Sequence, residues 1–170
     1  MPLDATSLSP SPKASSTMAS DLGPEKKTVR TGSCLCREVQ YEVVGDPLAF
    51  RICHCINCRK VTGSAFMANA FFSVKGFNVT RGKENLRAFV DTNTASGIPI
   101  NRWFCAGCGA NIYMQSTDAT RAKVIVIQSG GIDGNVVSEW VPDTEMFPEQ
   151  RRTWVQCTSD PTLRRGFPRL

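Results

Sequence analysis

From residue 29 onward, apolar and polar positions change places at short intervals, with the period of strands. Val39, Tyr41 and Val43 alternate with Gln40 and Glu42, which predicts a strand with one face buried and the other in water. The stretch 65–74 is rich in aromatic residues and runs into Lys75-Gly76, a turn signal. Residues 77–80 followed by Arg81-Gly82 repeat that grammar, and 86–90, 102–104 and 112–115 are further short strands. Val124-Ile125-Val126-Ile127 is β-branched throughout, which predicts a strand covered on both faces. Turn signals recur at Gly45-Asp46-Pro47, Ser129-Gly130-Gly131 and Asp133-Gly134. A helical turn is expected across Arg59-Lys60-Val61. The pattern as a whole predicts an all-β fold, mainly antiparallel, with one or two short helical turns and no internal repeat.

Residues 1–28 lack any such pattern. They are a run of Ser, Pro, Ala and Thr that buries too little to offset its ordering entropy, so they read as a disordered tail. That leaves one domain over 29–170, of ordinary size for a single core.

Composition narrows the classes. The hydrophobic fraction is 41% of 170 residues, enough for a packed core, so a metal need not be the only thing holding the fold. There is no apolar run long enough to span a membrane, which takes about 18 residues or more. The first residues show neither a basic segment followed by an apolar one nor an Arg-rich presequence, so the expected location is the cytosol. The formal charge is +5. A zinc held by four thiolates carries a net charge of about −2 and one held by three about −1, so two such sites would cancel most of that excess. The basic residues are scattered apart from Arg151-Arg152 and Arg164-Arg165, which argues against a nucleic-acid partner.

The cysteines change the picture most. There are eight: Cys34, Cys36, Cys53, Cys55, Cys58, Cys105, Cys108 and Cys157. Clusters such as C-L-C, C-H-C-I-N-C and C-A-G-C-G, without a secretory signal, point to metal sites rather than disulfides. Cysteines two apart on an extended chain lie about 6.5 Å apart at Cα, a spacing that suits two ligands of one tetrahedral ion. In Cys105-Ala106-Gly107-Cys108-Gly109 the final glycine permits the positive φ that a chain reversal around zinc often needs. Cys55 and Cys58 form a second C-x-x-C, with Arg59 in place of that glycine.

Seven clustered thiols divide naturally as four and three: a closed structural zinc, and a zinc whose fourth position is left to water or substrate. Spacing alone leaves the partition open. Cys55, Cys58, Cys105 and Cys108 could combine and leave Cys34, Cys36 and Cys53. Cys34, Cys36, Cys105 and Cys108 could combine instead and leave Cys53, Cys55 and Cys58 on one loop. His54, the only histidine, lies between two ligands and should turn its ring away from them, although closure of the second site by His54 or Cys157 is an alternative.

Several of these segments together resemble the glutathione-dependent formaldehyde-activating enzyme family, which includes the centromere protein V domain. The matching pieces are Gly32-Ser33-Cys34-Leu35-Cys36 with Val39-Gln40-Tyr41, Cys53-His54-Cys55-Ile56-Asn57-Cys58-Arg59-Lys60 with Thr62-Gly63-Ser64, Phe104 to Gly109, and Gly131-Ile132-Asp133. Weaker matches are Glu145-Met146-Phe147 and Arg152-Thr153-Trp154. The resemblance implies a β-tent fold and two zinc ions. Cys34, Cys36, Cys105 and Cys108 would hold the structural one, and Cys53, Cys55 and Cys58 the open, catalytic one. It also implies a carbon–sulfur lyase that interconverts glutathione plus formaldehyde with S-(hydroxymethyl)glutathione. Arg37 departs from the pattern, which often has glycine there. Arg51, Arg59, Lys60 and Arg102 are candidates for binding substrate carboxylates. A small thiol or carbonyl substrate from specialised metabolism, and a non-enzymatic zinc-stabilised binding module, are the alternatives.

Overall fold

The computed structural model describes residues 28–134, 140–156 and 164–165. The tail read over 1–28 therefore lies outside the described residues except for Thr28, and so does Cys157. The elements run β1 (Val29–Ser33), β2 (Gln40–Val44), β3 (Ala49–Cys53), α1 (Ile56–Thr62), β4 (Met67–Ser73), β5 (Phe77–Arg81), β6 (Leu86–Asp91), β7 (Ile100–Cys105), β8 (Asn111–Ser116), β9 (Val124–Gln128), β10 (Thr144–Met146) and β11 (Arg164–Arg165), with four short 3₁₀ turns between them. No helix among the described residues is long and apolar enough to cross a membrane.

Two sheets result. The smaller has the order β1-β2-β5, and the larger β11-β10-β3-β4-β9-β8-β7-β6. The all-β expectation holds, and the pairing is antiparallel except at one end of the large sheet, where β10 runs parallel to both β3 and β11. A parallel pair needs a long crossover, and this one joins strands some ninety residues apart.

The alternation of β2 buries Tyr41 and Val43 and exposes Glu42 and Val44. With Val39 they pack against Ala70, Phe72, Ile125 and Ile127 in the main core. The Tyr41 hydroxyl donates to the Gly131 carbonyl at 2.7 Å, so this buried ring leaves its polar end satisfied. Gly32 sits against the same ring: a Cβ there would meet Tyr41 Cζ at 2.1 Å. Tyr41 is thus packed on glycine for lack of any other room.

β9 departs in detail from its reading. Ile125 and Ile127 are fully buried in the main core, whereas Val124 and Val126 are half-buried. β4 divides the same way: Ala70 and Phe72 enter the main core, while Met67 joins a second apolar cluster with Cys53, Cys58 and Met114. The large sheet therefore has a closed face and a face that is only partly covered.

Arg37, the departure noted above, lies in the turn that brings Cys36 back toward β2. Its φ is +62°, a left-handed conformation that costs a non-glycine residue about 1–2 kcal/mol. The turn holds because the Arg37 N–H donates to the Cys34 carbonyl and the Cys34 N–H to the Val39 carbonyl, both at 3.0 Å. Arg37→Gly should stabilise the domain by about 1 kcal/mol, or about 2–4 °C in a thermal melt of a domain this size. A lower melting temperature would mean that the exposed Arg37 side chain makes a contribution larger than its backbone strain.

Candidate functional site

Four of the thiols meet where the two sheets approach. Cys34 and Cys36 follow β1, Cys105 ends β7, and Cys108 lies in the turn after it. Their sulfur atoms all lie within 4.8 Å of one another. Cys34 and Cys36 are 3.4 Å apart at sulfur, and Cys36 and Cys105 3.7 Å. Disulfide sulfurs lie about 2.05 Å apart, so none of these pairs is bonded. Sulfurs placed tetrahedrally at about 2.3 Å from a zinc ion stand about 3.8 Å from one another, and the cluster fits that figure. The local backbone suits anionic sulfur: the Val39 N–H points at Cys34 Sγ at 3.2 Å. Gly109 takes φ +73°, the reversal anticipated for it, and its N–H closes the turn onto the Cys105 carbonyl at 2.8 Å.

Cys53, Cys55 and Cys58 form a separate group, also with sulfurs within 4.8 Å of one another. Cys53 ends β3. Cys55 caps α1, its sulfur accepting the Cys58 N–H at 3.4 Å. The helix thus starts at Ile56, earlier than the turn read at Arg59, because a cysteine stands in for the usual oxygen cap. Gly63 ends it with φ +61°. Hydrogen bonds from Cys53 and Cys58 pull the Cys55 thiol down to about 2, while those from Cys55 and Cys58, with burial, push Cys53 up. A bound divalent ion would let all three thiols ionise, releasing protons.

His54 does not join either group. Its Nε2 lies 3.0 Å from Glu145 Oε1, with both side chains fully buried, and Arg151 Nη1 donates to the same oxygen at 3.1 Å. The His54 N–H donates to the Met146 carbonyl at 3.0 Å. Strand alternation thus sends Cys53 to one face of the loop and His54 to the other, where it ties the loop to β10.

The trio opens onto a cavity of about 360 Å³ on the partly covered face of the large sheet. Its floor is made by alternate residues of adjacent strands, among them Arg51, Asn69, Phe71 and Val126, and Ile98 and Phe147 line it from outside the sheet. Phe147 sits at φ +58°, a second non-glycine residue in the left-handed region, at the cavity wall. Strain of this kind tends to collect at binding sites.

The helix bearing Cys55 and Cys58 is fixed by a buried polar network. Arg102 donates from Nε and Nη2 to Asp91 Oδ2 at 2.9 and 2.8 Å. Asn57 Nδ2 reaches the same carboxylate at 3.0 Å and the Asn93 carbonyl at 2.7 Å. The network clamps α1 to β6 and β7. Of the four cations read from the sequence, Arg51 and Arg102 line the cavity, and Arg59 and Lys60 are not among its lining residues. Two lining residues escape sequence reasoning. Arg121 lies in a turn with no motif around it. Asn69 is buried in β4, and neither its carboxamide nitrogen nor its oxygen has a hydrogen-bond partner. Its signal was available: a lone amide in an aromatic-rich strand.

A family model described as glutathione-dependent formaldehyde-activating enzyme matches residues 29–150. No curated protein matches the chain. Among solved structures, a crystal structure of a Rhodobacter sphaeroides protein is similar over 61% of this chain and 88% of that one, at 26% identity and a TM-score of 0.48.

Proposed function

The chain belongs to the glutathione-dependent formaldehyde-activating enzyme family, and on that footing we propose that it is a zinc-dependent carbon–sulfur lyase-type enzyme acting on a thiol–carbonyl adduct. S-(hydroxymethyl)glutathione, or an adduct of another small carbonyl compound, is the substrate class. The observation that carries this reading is the three-thiol group with no fourth His, Cys, Asp or Glu in it among the described residues, open to a cavity of about 360 Å³. A closed structural site has no use for such a cavity. The other group, Cys34, Cys36, Cys105 and Cys108, has the ligand number of a structural zinc. The two-sheet architecture corresponds on this reading to a β-tent, and clusters of unbonded thiols suit a reducing compartment such as the cytosol.

In the addition direction, the substrate sulfur bonds to the carbonyl carbon and the thiol proton ends on the carbonyl oxygen. In the lyase direction that C–S bond breaks and the hydroxyl proton returns to sulfur. Cys53, Cys55 and Cys58 would hold the zinc ion, which would supply a Lewis acid able to favour the ionised form of a thiol or to polarise a carbonyl oxygen. The chain does the rest. Asn57, Asp91 and Arg102 keep the ligand-bearing helix in place. Ile98, Ile100, Met114 and Val126 present apolar surface that limits water beside the reacting carbon.

Cobalt substitution tests the open position, because thiolate-to-cobalt charge-transfer bands report each added sulfur. Glutathione should strengthen the bands of the cobalt protein and release a proton on binding. Bands that stay unchanged at millimolar concentrations of glutathione and of simple alkyl thiols alike would mean that a protein group already closes the site, and the enzyme reading would fall.

A further inference from the structure

The cavity carries a charge pattern at odds with glutathione as the preferred thiol. Glutathione has two carboxylates and one ammonium group. Arg51, Arg102 and Arg121 line the cavity, and among the described residues no Asp or Glu does. No carboxylate there neutralises an ammonium group. Burying one unpaired would cost several kcal/mol.

The three arginines are not equivalent. Arg102 is neutralised by Asp91 from behind. Arg51 stacks over the Phe71 ring at 4.6 Å, and its Nε lies 3.7 Å from Asp143. Arg121 is exposed and lies in the turn in which Asp118 accepts its backbone N–H at 3.1 Å. The rest of the wall is largely carbon: Phe71, Ile98, Ile100, Met114, Val126 and Phe147 line a space far larger than a hydroxymethyl group needs.

We propose that the substrate of this site is an anionic, largely apolar thiol–carbonyl adduct, its carbon skeleton packed on the apolar floor and its acid group paired with Arg121 and Arg51, rather than a zwitterionic peptide thiol. This deepens, and rests on, the lyase reading above. The apolar floor supplies affinity in proportion to the area it covers, and the arginines supply orientation and sign. A zwitterion gains the second and forfeits part of the first.

The test uses the cobalt-substituted full chain and three thiols as probes: 6-mercaptohexanoate, 1-pentanethiol and glutathione. Dissociation constants come from titrating the charge-transfer bands. The expected result is 6-mercaptohexanoate binding at least tenfold tighter than glutathione. Arg121→Gln should weaken 6-mercaptohexanoate by about threefold to tenfold and leave 1-pentanethiol unchanged, with an unaltered melting temperature. Arg51→Gln is the second variant, and its loss should again fall on the acid thiol alone. Glutathione binding as tightly as 6-mercaptohexanoate would overturn the proposal while leaving the lyase reading intact. Equal effects of both variants on the charged and the uncharged thiol would overturn it as well. Failure of all three thiols to alter the bands would remove both.

Discussion

Cys105→Ser should abolish the folded state or lower its melting temperature by well over 10 °C. Cys105 is fully buried, and its cluster is the junction of the two sheets: Cys34 and Cys36 follow a strand of the small sheet, and Cys105 and Cys108 close a strand of the large one. A structural zinc contributes on the order of 10 kcal/mol of folding free energy in small domains, as much as an ordinary domain has in total. Part of that survives a single ligand loss, and the main core of Tyr41, Phe72 and Ile127 contributes independently, so the expected deficit is about 5 kcal/mol or more. At about 2–4 °C per kcal/mol for a domain of this size, a circular dichroism melt resolves it easily. Cys34→Ser should behave alike. An unchanged melting temperature in a protein that has lost one zinc would end the structural role of this cluster.

Cys55→Ser should do the opposite: a turnover loss of more than about 100-fold with little change in stability, within about 1 kcal/mol. The difference follows from where the thiol sits. Cys55 is the N-cap of α1, and serine is among the preferred caps, so the hydroxyl can take the Cys58 N–H that sulfur accepts now. The helix also stays clamped through Asn57 to Asp91. What is lost is one of three charged ligands of the open site. Zinc content, melting temperature and turnover of a thiol–aldehyde adduct, measured on the same preparation, separate these effects. Full turnover without the second zinc would remove that ion from the mechanism, and a melting temperature as low as that of Cys105→Ser would show that the trio is structural.

The sequence displays these features unevenly, for physical reasons. The strand of Val39, Tyr41 and Val43 is legible because one face of it meets water and the other meets the core. β3 is not: Ile52 is buried, Arg51 and Cys53 line the cavity, and none of its residues is fully exposed, so no polar alternation marks it. Its partner β10 is three residues long and pairs in parallel across the chain, beyond the reach of any local signal. The thiols are legible because they come in close pairs and a close trio along the chain, C-L-C, C-H-C-I-N-C and C-A-G-C. The cavity wall is not, because it is assembled from every second residue of separate strands, each unremarkable alone. Arg51 and Arg102 stand out only as charges among apolar neighbours, and Arg121 does not stand out at all.

The two thiol groups also differ in when they can exist. All three sulfurs of the trio lie within six residues, whereas the Cys36 and Cys105 sulfurs, 3.7 Å apart in space, are 69 positions apart in the chain. On a ribosome adding about 5–20 residues per second, Cys58 leaves several seconds before Cys108. During that interval the nascent chain displays a complete set of three ligands beside an unfinished set of two. On the zinc assignment proposed above, the first complete ligand set that a growing polypeptide offers is therefore the reactive loop and not the cross-brace. If both groups hold zinc as proposed, and four thiolates bind it more tightly than three, a zinc-starved cell would accumulate chains whose brace is filled and whose reactive loop is bare.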